Sequence, residues 1–200
     1  MARNEAPPFE RGKTYFQGTP SDVTAKGFLE GKCWVFEGRN WSQSSSGVRT
    51  DLTGRYTVCM VVRNLSGGLL LPKLIAKMKT DGTSREFLGQ VMGLATVVGE
   101  FGFPIDEYLP AAGVAANDLF WLVVGGLATC VTAAAGDTNI STGSFVIPST
   151  GGKVIDQDTT VAAGVATFNQ IQGAIGRCVL GVNAINTDIQ IDVKPRIAFA

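Results

Sequence analysis

The sequence predicts an all-β architecture: a sandwich or barrel of short strands with glycine-rich turns, an extended N-terminal arm and little helix. Three observations carry the prediction. Apolar and β-branched residues recur in about ten short segments, several at alternate positions, which is the spacing of a strand and not of a helix. Glycine is abundant, at 25 of 200 residues, and it often stands in pairs such as Gly67-Gly68, Gly125-Gly126 and Gly151-Gly152. It supplies the positive φ that tight turns need. No segment of eleven or more residues combines helical period with caps. Val161–Gln172 comes nearest, and Gly164 and Thr167 weaken it.

Residues 1–32 read as the arm. Pro7, Pro8 and Pro20, with Gly12, Gly18, Gly27 and Gly31, leave no room for a regular helix or long strand. The aromatic residues Phe9, Tyr15, Phe16 and Phe28 favour docking on a surface over fraying, and residues 1–32 are expected to be dispensable for folding. Residues 33–200 form the β-rich remainder, either one unit or two sub-domains dividing near residues 100–116.

Within it, Cys33–Glu37 is a short apolar strand, Trp41–Asp51 a polar Ser-rich loop, and Arg55–Arg63 a strand rich in β-branched and aromatic residues. After the loop Asn64–Gly68, the segment Leu69–Lys79 alternates. Leu70, Pro72, Leu74, Ala76 and Met78 fall on one face and Lys73, Lys77 and Lys79 on the other, with Ile75 the one misfit. Period two makes it a strand, and Pro72 places that position at an edge or at the segment's beginning. Phe87–Val98 supplies one or two further strands, and Gly99–Ala116, with Pro104 and Pro110, reads as a loop. Leu119–Val124 and Leu127–Thr132 read as the arms of a hairpin turning at Gly125-Gly126, the first being apolar on both faces and therefore central in a sheet. Ser144–Pro148, Val161–Phe168, Ala174–Val182, the strictly alternating Ile189–Val193 and Arg196–Phe199 complete the set.

Composition narrows the function. There is no histidine, which removes imidazole-based nucleophilic catalysis and His-ligated metals. Lys plus Arg and Asp plus Glu each number 17, so the balance of a strongly basic nucleic-acid binder is missing. The charge is unevenly spread. Residues 1–100 hold 13 basic and 9 acidic side chains, residues 101–200 hold 4 and 8. Either the first half meets an acidic partner or the two halves face each other within one fold. Charged residues are only 17% of the chain, a low share that suits a protein packed among copies of itself.

Cys33, Cys59, Cys130 and Cys178 contain no CxxC pair and lie beside apolar neighbours, as buried reduced thiols would. The N-terminus lacks the apolar stretch of a secretory signal, so the sequons at Asn40, Asn64 and Asn139 read as coincidence. The uncharged runs Leu119–Gly136 and Thr159–Gly176 approach the length of a membrane span, but their glycines and threonines argue against one.

Catalytic features are weak. The carboxylates Asp106-Glu107, Asp156-x-Asp158 and Asp188-x-x-x-Asp192 come close together without any sign of facing each other across a cleft, and Asp156 and Asp158 suit a turn. No phosphate-cradling glycine motif occurs. Trp121 belongs in the core, while Trp41 is a plausible exposed platform for stacking a sugar or base. No enzymatic activity, cofactor or metal is expected.

The order of blocks in the C-terminal three quarters resembles the head-decoration, or cement, proteins of tailed bacteriophages. The residues that carry the resemblance are Glu107–Trp121, Val123–Val131, Thr160–Gly164, Ile175–Leu180 and the closing Thr187–Val193. Asn64–Lys79 is similar to the early hairpin of the longer members. The resemblance covers roughly residues 55–200 and rests on patterns of small and β-branched residues. It implies a β-rich, often trimeric virion protein, made in the host bacterial cytoplasm. Such a protein binds the major capsid protein on the capsid exterior and stabilises the lattice, with neither nucleic acid nor membrane as partner. For that role the candidate capsid contacts are Phe9, Tyr15 and Phe16 in the arm and the face of Lys73, Lys77 and Lys79. The alternatives are another virion protein, a tail-tube subunit or head-fibre base, and a carbohydrate-binding or hydrolytic β-domain using Trp41 and the Asp pairs.

Overall fold

The computed structural model describes residues 30–37, 42–43, 49–50, 56–80, 87–96, 100–133, 139–157 and 174–194. Among these the regular structure is β throughout, apart from a single 3-10 turn at Thr150–Gly152. The strands are β1 (Cys33–Glu37), β2 (Ser42–Gln43), β3 (Arg49–Thr50), β4 (Tyr56–Asn64), β5 (Ile75–Thr80), β6 (Phe87–Leu94), β7 (Gly102–Pro104), β8 (Leu119–Val131), β9 (Asn139–Ile140), β10 (Phe145–Ser149), β11 (Lys153–Asp156), β12 (Gly176–Leu180), β13 (Val182–Asn183) and β14 (Asp188–Val193). Ten of them form one open sheet in the order β11-β10-β12-β14-β8-β4-β6-β5-β7, with β1 alongside β4. The all-β class is as the sequence predicts; the sheet does not close into a barrel.

β8 organises this sheet, and it corrects the predicted hairpin. Leu119–Val131 is one strand of 13 residues that passes straight through Gly125-Gly126. Its first half pairs antiparallel with β4, from Arg63 opposite Leu119 to Val58 opposite Gly125, and its second half pairs with β14, from Gly126 opposite Val193 to Val131 opposite Asp188. Two long partners satisfy more of its backbone than folding back on itself would. The glycines mark the handover between them. Val58 is opposite Gly125 but Cys59 is opposite Val123, so Val124 is a bulged residue, and Gly126 sits at φ +82. A bulge bends a strand and increases its twist, so these glycines redirect the strand without reversing it. Leu119–Val123 are buried without alternation, as expected of a central strand covered on both faces.

One apolar cluster runs through both halves of the sheet. It includes Val61 and Val62 of β4, Ile75, Val91, Phe120–Leu122 of β8, Val146, Val154 and Ile191. Trp121 is fully buried, as predicted, and meets Trp34 of β1 edge to face at 5.1 Å between centroids. Ile105, just past β7, bridges back to Leu122, and the Asp106 amide donates to the Trp121 carbonyl at 3.3 Å, so the far edge of the sheet curls in against β8.

Several predicted boundaries move for identifiable reasons. Leu69–Lys79 is a strand only from Ile75. Leu70 makes an isolated bridge to Val114 and Pro72-Lys73 forms a turn in which Lys73 takes φ +68, so Pro72 marks the beginning of the segment. Gly99–Ala116 contains β7, whose three buried residues complete the sheet beside β5. Trp41–Asp51 contains the two-residue strands β2 and β3, paired with each other. Asp156 ends β11 instead of standing in a turn. Val161–Phe168 and Arg196–Phe199 lie outside the described residues, as do Trp41 and Asp158. All four cysteines are free; Cys59, Cys130 and Cys178 are buried, but Cys33 is exposed, because β1 turns Trp34 toward the core and the alternate residues Cys33 and Val35 outward. Burial, and then the nearby Glu107 and Asp188 charges, push the Cys130 thiol far above its ordinary range.

Two predictions follow from this geometry. Gly126→Val should destabilise the protein by about 2 kcal/mol, because a β-branched residue is forced to positive φ in the central strand, whereas Gly125→Ala should stay within about 1 kcal/mol; urea melts of the two variants measure the difference. With a thiol reagent, the native protein should titrate one cysteine, Cys33, and the denatured protein all four, since buried thiols react only after unfolding.

Candidate interaction surface

β4 shares one of its edges between two partners, and the end of the arm lies where they meet. β1 runs antiparallel along Tyr56–Met60; beyond it β6 pairs in parallel, Arg63 opposite Gln90 and Asn64 opposite Val91. At this fork the Gly31 amide donates to the Val61 carbonyl at 2.8 Å and the Val61 amide to the Lys32 carbonyl at 2.9 Å. Arg63 is buried, its side chain 3% exposed, and it ion-pairs with Glu30. The other Glu30 oxygen accepts from Gln90 Nε2 at 3.0 Å, and Arg63 also donates to the Asn117 carbonyl at 2.7 Å. The arm reaches this place only because residue 89 has no side chain. A Cβ on Gly89 would stand 2.4 Å from the Gly31 nitrogen and 2.7 Å from the Glu30 carbonyl carbon. Glu30–Lys32, the only described residues of the predicted arm, are therefore bonded into the sheet.

The next residue, Asn64, points to the opposite face and is completely buried. Its Nδ2 has the carbonyls of Gly68, Val114 and Ala115 at 2.8–3.0 Å, and its Oδ1 accepts from the Ser66 amide and hydroxyl at 3.0 and 2.6 Å. A side-chain amide so fully partnered stands in for missing backbone pairing, and it holds the loop from residue 65 to residue 71 against the loop that carries Val114. Being buried, the Asn64 sequon is inaccessible in the folded chain.

That fixed loop carries the principal apolar exposure of the described surface. Of its seven exposed large apolar side chains, Leu65, Leu69 and Leu71 lie on the loop and Met92 on the adjoining β6, at 38, 64, 46 and 56% exposure. Leu70, between two of them, is buried on its bridge to Val114, so Leu69 and Leu71 are turned outward by the local alternation. Several exposed apolar side chains on one hydrogen-bonded loop make it the candidate interaction surface. Sequence reasoning missed it: the alternation of Leu70 and Pro72 with their neighbours put Leu69 and Leu71 in a strand, and only the bridge to Val114 shows which leucines face water.

The predicted lysine face does not hold together. Lys73, in its turn, pairs with Asp188 of β14; Lys77 pairs with Glu100 at 2.6 Å; Lys79, half-buried, shares the outer side of β5 with Lys77. The Lys73 pair joins a basic residue of the first half to an acidic one of the second, which is the internal complementarity allowed for by the charge asymmetry. Phe9, Tyr15 and Phe16 lie outside the described residues.

The acidic pairs have structural partners. Asp106 is buried and accepts from the Tyr108 amide at 3.1 Å, Glu107 accepts from Thr129 Oγ1 at 2.8 Å, and Asp192 pairs with Lys194 at 2.6 Å. An open depression of about 370 Å³ beside Gly126 has Arg177 and Asp192, cross-strand partners, on its wall, and the Arg177 guanidinium stacks on Phe145 at 4.4 Å. Among the described residues no cluster of His, Cys, Asp or Glu could hold a metal ion, and no helix is long and apolar enough to cross a membrane.

No family model and no curated protein matches the sequence. Among solved structures, the chain is similar to the head fiber gp8.5 N base of bacteriophage phi29, at 9% sequence identity and a TM-score of 0.41, over 69% of this chain and 94% of that one.

The fork sets a limit on truncation. Glu30→Ala should lower stability by about 3 kcal/mol, since it leaves the Arg63 guanidinium buried without its carboxylate, whereas deletion of residues 2–20 should leave the melting temperature within a few degrees of wild type. Thermal melts of both variants check this.

Proposed function

We propose that the chain is a non-catalytic structural protein of a tailed-bacteriophage virion, which attaches to the outside of the capsid and stabilises the lattice by repeated modest contacts. The observation that carries the reading is the exposed cluster around Leu69 and Leu71, held on a base fixed by Asn64. Burying such side chains releases about 25 cal/mol per Å² of apolar surface, which is modest for one copy. When copies are arranged symmetrically on a lattice, each bound site raises the effective concentration at the next. The sequence patterns shared with decoration proteins favour the capsid exterior and a homo-oligomer, with trimers as the expected state. Phe9, Tyr15 and Phe16 fit the same role as anchors on the major capsid protein, because buried aromatics dominate interface energetics. Lys79 offers a weaker, salt-sensitive contact, Lys73 and Lys77 being paired with Asp188 and Glu100.

The test is co-sedimentation of the purified protein with empty capsids of the same phage. Wild type should sediment with them, and Leu69→Asp/Leu71→Asp should weaken attachment at least about tenfold with melting unchanged, since both side chains already face water. Attachment indifferent to these substitutions removes the loop from the interface. Failure of wild type to attach, or stacked rings and tubes in negative stain, overturns the capsid reading.

A further inference from the structure

The second half of the sheet sets one row of side chains across four strands. Phe145 of β10 is opposite Arg177 of β12, Arg177 opposite Asp192 of β14, and Asp192 opposite Leu127 of β8. Residues directly opposite in antiparallel pairs share a face. An aromatic, a cation, an anion and an aliphatic residue therefore stand side by side over about 14 Å. The depression of about 370 Å³ lies along this row, with Arg177, Asp192, Leu127, Val179, Thr142 and Gly143 in its lining. Two backbone irregularities shape it. Cys178 is opposite Ile191 but Leu180 is opposite Gln190, so Val179 is a bulged residue, and Gly126, also in the lining, sits at φ +82. A Cβ on Gly143 would meet nothing within 4 Å, so that side of the depression is open.

The polar groups here are held in place with bonding capacity to spare. The Arg177 guanidinium stacks on the Phe145 ring at 4.4 Å, and its N–H groups meet no acceptor among the described residues. Asp192 gives one oxygen to Lys194 at 2.6 Å and keeps the other as an acceptor. Thr142 Oγ1 accepts from the Gly181 amide at 2.9 Å, which leaves its hydroxyl proton to donate. The Gly143 amide bonds to the Cys178 carbonyl at 2.8 Å and the Cys178 amide to the Ser144 carbonyl at 2.9 Å, so this rim is set before any ligand arrives. With Lys194 balancing Asp192, the remaining charge is the Arg177 cation, whose fork matches a carboxylate through two parallel hydrogen bonds.

We propose that this depression binds a monosaccharide bearing a carboxylate, such as a hexuronate. The carboxylate takes the Arg177 fork, ring hydroxyls donate to Asp192 and accept from Thr142, and the ring lies against Leu127, Val179 and the two glycines. The volume is at the small end of ligand sites, which suits one sugar unit. A neutral sugar would leave the charged fork unmatched, and a bare carboxylate would leave Asp192 and Thr142 unused. None of these residues belongs to the leucine cluster, so the site is independent of capsid attachment.

Titration of the isotope-labelled full chain with D-glucuronate, followed through its amide NMR signals, tests the site. Saturable shifts should appear at Gly126, Leu127, Thr142, Gly143, Arg177 and Val179. The dissociation constant should be in the millimolar range, normal for about a dozen non-hydrogen atoms. D-Glucose, which lacks the carboxylate, and N-acetylglutamate, which lacks the ring hydroxyls, should each bind at least about tenfold more weakly. Arg177→Lys keeps the charge but loses the fork and the ring stack, and should weaken glucuronate binding at least about tenfold with β4 amides unshifted. No saturable shift with glucuronate, or binding undiminished in Arg177→Lys, overturns the proposal. Glucose binding as tightly shows that charge is not read, and N-acetylglutamate binding as tightly shows that a protein carboxylate fits instead; either result overturns it too. Should Arg177→Lys misfold, the three ligands on wild type decide alone.

Discussion

The structure depends on β8 staying continuous. Among the described residues, a strand of 13 residues with antiparallel partners on different halves of its length is what joins β4 and its neighbours to β14 and its neighbours within one sheet. Its buried run Leu119–Val123 lies at the centre of the apolar cluster, and its second half delivers Ala128 and Cys130 to the same cluster. At the bulge at Val124 and the positive φ of Gly126 the strand bends and changes partner without ending. The Lys73–Asp188 pair and the Val131 amide bond to the Lys73 carbonyl reinforce this junction from the side, tying the turn before β5 to β8 and β14.

From that fixed centre, β4 carries order outward to the surface. Its last two residues face opposite ways and do different work. Arg63 gathers Glu30 and Gln90 on one face and so anchors the root of the arm; Asn64 gathers Ser66, Gly68, Val114 and Ala115 on the other and so shapes the leucine loop. Both are polar groups with little or no exposure, and both are matched by several partners, the condition under which buried polarity specifies a conformation instead of weakening it. The exposed leucines are thus carried by a loop whose backbone is held in place by these hydrogen bonds.

The remaining chemistry points the same way. Carboxylates that sequence spacing brings together are used for a turn at Asp106, a hydroxyl at Glu107 and ion pairs at Asp188 and Asp192. The lysines at positions 73 and 77 are engaged in pairs with Asp188 and Glu100, while the exposed side of the neighbouring loop is apolar at Leu65, Leu69 and Leu71.

By itself the sequence determined the class of fold, most strand cores, and the central place of Leu119–Val123, because period-two burial and unbroken apolar runs are local signals. It also determined that Trp121 is interior and that no imidazole chemistry is available. What only the tertiary structure decided is how strands choose partners. Gly125-Gly126 has the local signature of a tight turn, yet the distant strands β4 and β14 claim its two flanks and hold it extended. Lys73 and Lys77 share a parity in the sequence, yet a turn before Ile75 sends them to Asp188 and Glu100. Glu30 reads as part of a loose arm, yet it neutralises a buried arginine 33 residues away. In each case local sequence sets which conformations are inexpensive, and pairing with residues far along the chain selects among them.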